Sequence, residues 1–139
     1  MSKFAVVSWS GTGNTEQMAA AVVEGINGAG GEAVTVACGD FSAASVGEYA
    51  GFAFGCPSMG AEVLEEGEFQ PMWDGVKSAL RGKKVVLFGS YGWGDGEWMR
   101  TWVSECEDAG IDVAENYICN ETPGDDELGE CKKIGAALV

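Results

Sequence analysis

The sequence contains no histidine. That excludes imidazole general-base chemistry, a Ser-His-Asp triad and any metal site built on imidazole. Bases are scarce too: eight lysines and arginines stand against 22 acids, for a formal charge of -14. Nucleic acid and anionic membranes are bound through basic patches, so neither is expected as a partner. No run approaches the ~20 apolar residues of a membrane span. The start, MSKFAVVSW, has no charged region ahead of a longer apolar one, so no signal peptide is read and a cytoplasmic location is expected. The cysteines, Cys38, Cys56, Cys106, Cys119 and Cys131, are odd in number and form no Cys-x-x-Cys pair. Such spacing fits neither an iron–sulfur cluster nor a zinc ribbon; it reads as small buried hydrophobes in a reducing compartment. With no side chain that titrates near pH 7 unperturbed, acid–base catalysis is disfavoured, and any chemistry falls to a cofactor.

What is present is enough for one domain over residues 1–139, with 46% apolar residues to fill its core. Short apolar runs alternate with helix-patterned segments. Strands are expected at Phe4–Trp9, Ala33–Ala37, Phe52–Cys56, Val85–Gly89 and Ile111–Cys119, the last of mixed pattern. Helices are expected from a cap at Asn14 or Thr15 to the glycines at 28, 30 and 31, then over Ser42–Tyr49, Phe69–Leu80, Glu97–Ala109 and Asp126–Leu138. Unalternated apolar strands joined by helices imply an α/β fold, a five-stranded parallel sheet buried on both faces. In such a sheet a ligand lies outside the carboxyl ends of the strands, so the loops after strands one, three and four share a rim.

The first of these loops, Ser10-Gly11-Thr12-Gly13-Asn14-Thr15, joins a strand to a helix. Its glycines let backbone N–H groups curl toward an anion, hydroxyls add donors, and the helix terminus adds partial positive charge. It lacks the lysine of a Walker loop, and Glu16 stands where a dinucleotide fingerprint has its third glycine. A neutral cradle of this kind suits one phosphate monoester. The second loop, Pro57-Ser58-Met59-Gly60-Ala61-Glu62, places a thioether before a glycine free to take positive φ. In the third, Ser90-Tyr91-Gly92-Trp93-Gly94-Asp95-Gly96, an aromatic pair set among glycines beyond a strand reads as a stacking platform for a flat ligand.

These three loops, with the WSGTGNT run at 9–15, Met59-Gly60 and the FGSYGWG run at 88–94, closely resemble those of short-chain, clostridial-type flavodoxins, and the element spacing agrees along essentially the whole chain. The resemblance implies a doubly wound sheet of strand order 2-1-3-4-5 and non-covalently bound flavin mononucleotide (FMN). By the same resemblance, Trp9 and Ser10 through Thr15 hold the phosphate side, with Ser90 assisting. Trp93 stacks on the outer face of the ring beside Tyr91, Gly92 and Gly94, and Met59 packs on the inner face beside Pro57, Ser58 and Ala61. Glu62 takes the pyrimidine N3, the Gly60 carbonyl turns toward N5, and Asn120 helps enclose the ring. Ala61 stands where many relatives carry an acid or a serine, and Pro57 where some have serine, which removes a charge near the flavin and a hydroxyl that could have reached the ribityl phosphate.

The implied function is a low-potential one-electron carrier, a monomer, shuttling between semiquinone and hydroquinone. Its implied partners are redox proteins with basic docking faces, reductases and oxidoreductases otherwise served by ferredoxin. Two unit charges 10 Å apart at an effective dielectric near 20 repel by about 1.7 kcal/mol, so acids near the ring oppose its reduced anion. Glu62, Glu65, Glu66, Glu68, Asp95, Glu97 and Asp125-Asp126-Glu127 are expected near that rim. The alternative is an FMN-dependent NAD(P)H:quinone or flavin reductase, but 139 residues leave no insertion for a nicotinamide site. A receiver-type signalling domain would need clustered aspartates where Trp9-Ser10 and Cys56-Pro57 stand.

Overall fold

In the computed structural model, which describes residues 2–139, the strands are β1 (Lys3–Ser8), β2 (Glu32–Ala37), β3 (Gly51–Gly55), β4 (Lys84–Tyr91) and β5 (Asp112–Asn120). They form one parallel sheet in the order β2-β1-β3-β4-β5, as expected. The α-helices are α1 (Asn14–Gly28), α2 (Phe69–Val76), α3 (Glu97–Asp108) and α4 (Asp125–Leu138).

Alternate residues of each central strand feed two cores. Phe4, Val6, Ala53, Val86 and Phe88 bury against α1 and α4, while Ala5, Val7, Phe52, Phe54, Val85 and Leu87 bury against α2 and α3. This is why the strands read as continuous apolar runs. The mixed pattern of β5 has a different cause. The pairing slips by one residue between Val85 and Val86 of β4, so Tyr117 and Cys119, an even number of residues from Val113, face the opposite core, the side of Ala114.

Two helix expectations are corrected. Ser42–Tyr49 folds as a 3₁₀ segment, Ala43–Glu48, with Val46 as its buried anchor. One apolar contact in six residues does not stabilise an α-helical nucleus. The third expected helix is α only to Val76, tightening into 3₁₀ geometry over Lys77–Leu80 to bring Leu80 into the core. The cap of α1 also differs: Gly13 occupies the position at φ 96°, and neither Asn14 nor Thr15 supplies a side-chain cap.

Helices α1 and α4 pack backbone to backbone at two glycines. A Cβ on Gly25 would collide with the Lys132 carbonyl, and one on Gly135 with the Val22 carbonyl. Gly129, also within α4, has open space instead. Propensity alone makes glycine-to-alanine in a helix stabilising by about 0.5–1 kcal/mol. We therefore expect Gly129→Ala to stabilise by that amount, and Gly135→Ala to destabilise by about 1–3 kcal/mol through overpacking. Urea denaturation of both variants checks this; a stabilised Gly135→Ala would mean that the helices separate at no cost.

Candidate functional site

The carboxyl ends of β1, β3, β4 and β5 deliver four loops to one rim. A cavity of about 260 Å³ opens there, lined by Trp9, Gly11, Thr12 and Asn14 from the first loop, and by Pro57, Ser58 and Met59 from the second. Ser90, Tyr91, Gly92 and Glu121 complete it. A larger groove of about 770 Å³ runs along α3 past Lys77, Arg100 and Ser104, open and strongly charged, and shares no lining residue with this cavity.

The first loop is wound tightly by its own serine. The Ser10 hydroxyl accepts the N–H groups of Gly13 (3.1 Å) and Glu16 (3.3 Å), which fixes the curl ahead of α1. Ser10 and Gly13 thus shape the cradle without lining the cavity. Thr15 is deeper than a surface donor, only 1% exposed. Its hydroxyl lies 3.0 Å from that of Ser90, itself 5% exposed, and accepts the Ser90 N–H at 3.3 Å. The two hydroxyls own two protons and share one bond; when Thr15 donates it, the O–H of Ser90, which lines the cavity, is left for an anion. Trp9 lies over Gly11 and donates its indole N–H to Glu68 at 3.3 Å.

The second loop is a tight hairpin. Met59 and Val63 exchange backbone bonds of 2.8 and 3.0 Å, and Gly60-Ala61-Glu62 makes the turn. Gly60 has φ 47°, matching the expected positive φ, and Glu62 has φ 57°. Ala61 is exposed and outside the cavity. The Glu62 carboxylate lies against Gly94 (φ 86°), where any side chain would collide with it, and its Oε2 is shielded from solvent with no hydrogen-bond donor. An unpaired buried carboxylate oxygen is costly, so this atom marks a vacant acceptor position.

In the third loop the expected exposed aromatic pair divides. Trp93 is 71% exposed, whereas Tyr91 ends β4, half-buried, its ring 5.5 Å from that of Trp98. Tyr91 is thus a wall anchored in the core, and Trp93 alone is free to lie on a ligand. Asn120 donates its side-chain amide to the Tyr91 carbonyl at 3.3 Å and fixes the loop rather than lining the cavity. Glu121, which its sequence position after a strand gave no reason to single out, lines the cavity at φ 58°.

The acids expected around the rim are partly engaged. Glu65 accepts the N–H groups of Gly67 (2.7 Å), Glu68 (2.7 Å) and Phe69 (2.8 Å), capping α2. Asp95 and Glu97 pair with Arg100 at 2.9 and 2.8 Å, and Glu127 accepts the Gly124 N–H at 2.8 Å. Beneath the second loop, burial pushes the Cys56 thiol up to about 12, so it stays protonated and unreactive. The five cysteines are all buried and unpaired. Among the described residues no cluster of metal-ligating side chains forms, and no helix is long and apolar enough to cross a membrane.

Set together, the rim offers a neutral anion cradle, a core-anchored aromatic wall, an exposed indole and a carboxylate awaiting a donor. These are the parts needed to grip a planar heterocycle carrying a phosphate. A family model described as flavodoxin matches residues 6–135. A flavodoxin from Megasphaera elsdenii is 43% identical over 134 residues, 96% of each chain. One from Clostridium beijerinckii is 39% identical over 134 residues, 96% of this chain and 97% of that one. The solution structure of two-electron reduced Megasphaera elsdenii flavodoxin superposes with a TM-score of 0.90 at 42% identity, covering 97% of each chain.

The Glu65 cap has a checkable pH signature. Partial burial works to raise its pKa, but the three backbone N–H groups outweigh that and hold it below the ordinary carboxylate range. A lowered folded-state pKa adds stability above the unfolded value, near 4.3, that is lost as pH falls through the folded one. Glu65→Ala is expected to cost about 1 kcal/mol at pH 7, as for a lost helix cap, and progressively less below about pH 4. Urea midpoints at several pH values measure it; a loss independent of pH would show that the carboxylate charge plays no part.

Proposed function

The chain belongs to the flavodoxin family, and from that premise we propose that it is a low-potential carrier of single electrons between redox proteins. As a flavodoxin it binds FMN and transfers electrons. The finer reading is that it works between the half-reduced and fully reduced states of that cofactor, as a cytoplasmic monomer with no substrate of its own. Bound FMN supplies the one-electron chemistry; gripping, tuning and steering belong to the chain.

The observation that carries the reading is the shielded, donorless Oε2 of Glu62 on the same rim as a phosphate cradle. The residues fit the group. FMN has a phosphate for the neutral donors that Gly11, Thr12, Asn14 and Ser90 bring to the cavity, and a flat ring for Trp93, Tyr91 and Met59. Its ring N–H suits the vacant Glu62 acceptor. Gly60, with positive φ and no side-chain penalty for turning over, can present its carbonyl to a ring nitrogen that bears a proton. Such a bond is made in one protonation state only, so it favours that state by about 1 kcal/mol or more.

Acids set the potential and the partners. Glu121 in the cavity and Glu62 against Gly94, with the exposed Glu66 nearby in the chain, oppose added negative charge on the ring. The same field attracts basic-faced partners, such as reductases and the oxidoreductases otherwise served by ferredoxin, into short-lived, salt-sensitive complexes. The exposed Trp93 also offers a partner an apolar contact.

Titrating the apoprotein with FMN, then following its visible spectrum through photoreduction, tests the proposal. The expected result is one tight site and a long-wavelength radical band at half reduction; prompt bleaching by NADH or NADPH alone would instead indicate a reductase. Trp93→Ala is expected to weaken FMN binding by about 1–3 kcal/mol, the scale of aromatic stacking on a base. An unchanged dissociation constant would take Trp93 out of the site.

A further inference from the structure

Among the described residues, the non-glycine residues with positive φ are Glu62 and Glu121. Both are glutamates, and both approach glycines of one loop. The Glu62 carboxylate lies against Gly94, and Glu121 Oε1 comes within 4.0 Å of where a Gly92 side chain would begin, the two glycines that flank Trp93 in the chain. The left-handed conformation costs a side-chain-bearing residue free energy that glycine does not spend. A residue held there beside a cavity points to a task for its side chain.

At Glu121 the backbone accounts for part of the geometry. Its N–H donates to the Tyr91 carbonyl at 2.7 Å, and Asn120 holds the same carbonyl from its side chain. Glycine would make that backbone bond equally well, without strain. The carboxylate is therefore what the position adds. It is the one charged side chain lining the cavity, and no side chain or backbone N–H of the described residues bonds to it.

We propose that Glu121 is a specificity-determining residue of the FMN site, whose carboxylate accepts a hydrogen bond from a hydroxyl of the ribityl chain. The inference rests on the FMN reading above. A carboxylate accepts and never donates, so its partner on the ligand must be a donor. FMN bears donors at the ring N–H and along the ribityl chain, and the ring N–H is matched by Glu62. Glu121 shares its cavity with Gly11, Thr12 and Asn14 of the phosphate cradle on one side and with Tyr91 and Gly92 of the ring wall on the other. The polyol linking ring to phosphate would have to pass between those two sets of residues. A hydroxyl donating to a carboxylate is a charge-assisted bond, stronger than its neutral counterpart.

The test compares three flavins on the apoprotein by fluorescence titration: FMN, riboflavin and lumiflavin, which has the ring but no ribityl chain. Glu121→Gly, which relieves the backbone, and Glu121→Gln, which keeps a weaker acceptor, are the variants. For Glu121→Gly the dissociation constants of FMN and riboflavin should rise on the order of tenfold, with a smaller rise for Glu121→Gln and lumiflavin unchanged. The urea midpoint of apo Glu121→Gly should equal or exceed that of the wild type. If Glu121→Gly does not fold, Glu121→Gln carries the test alone. Unchanged constants for FMN and riboflavin would overturn the proposal, as would an equal loss for lumiflavin. So would tighter FMN binding by Glu121→Gln, because Glu121 would then act only as a charge opposing the phosphate. Wild-type protein that binds none of the flavins would defeat the FMN reading itself, an outcome separate from any variant effect.

Discussion

The backbone ladder of the sheet continues past the strands into the loops that form the site. Beyond β1, the Trp9 N–H reaches the Gly55 carbonyl at 3.0 Å, and beyond β3 the Cys56 N–H reaches Phe88 at 3.1 Å. Ser58 then bonds to Ser90 at 3.0 Å, and Glu121 to Tyr91 at 2.7 Å. Each of these bonds joins the first residues of one loop to a neighbouring strand or loop. A parallel sheet brings all its carboxyl ends to one edge, and these added rungs hold the loops in register as they leave it. Trp93, Glu62 and the Ser10–Thr15 cradle depend on that register for their distances from one another. The buried Thr15–Ser90 hydroxyl pair is its side-chain extension, fastening the start of α1 to the end of β4.

This dependence separates what is legible in the sequence from what is not. The fold is legible because buried parallel strands need unbroken apolar runs, and the chain has them. The cradle and the aromatic loop are legible because close backbone approach and exposed rings require glycines in places where packing does not. Roles that depend on distance between loops are not legible. Nothing in the order of residues says that Ser10 folds back on Gly13 and Glu16, or that Thr15 finds Ser90 across 75 positions. Glu65 reads as one acid in a charged stretch until three N–H groups converge on it. Glu121 lies one residue beyond β5, next to an asparagine that the family resemblance did single out. Its place in the cavity comes with a bond from its N–H to the end of β4 and a positive φ, neither of which residue order discloses.

The Ser42–Tyr49 segment illustrates the opposite limit, where sequence pattern promises more structure than packing delivers. A connection from β2 to β3 must cross from one edge of the sheet to its third strand. Short 3₁₀ turns carrying Cys38, Phe41 and Val46 into the α2 side of the core accomplish it. Packing of single anchors suffices there, so helical periodicity has nothing to enforce.

Charge closes the argument, because its placement matters more than its total. Lys3 and Lys84 open β1 and β4, with Lys83 and Arg81 just before the latter, so these bases lie at the end of the sheet away from the site. Arg100, at the site end of α3, is committed to Asp95 and Glu97. None of the residues lining the cavity is a base. A phosphate bound there is therefore held by hydroxyls and backbone N–H groups alone, in a field that opposes it. Neutral donors fixed before binding need little reorganisation, and the start of α1 contributes partial positive charge where the phosphate oxygens would lie. Keeping cations out of the site has a redox consequence: a lysine in the cradle would strengthen phosphate binding and also attract the electron added to the ring. A cradle without a cation leaves the field of Glu121 and the other nearby acids uncompensated at the cavity.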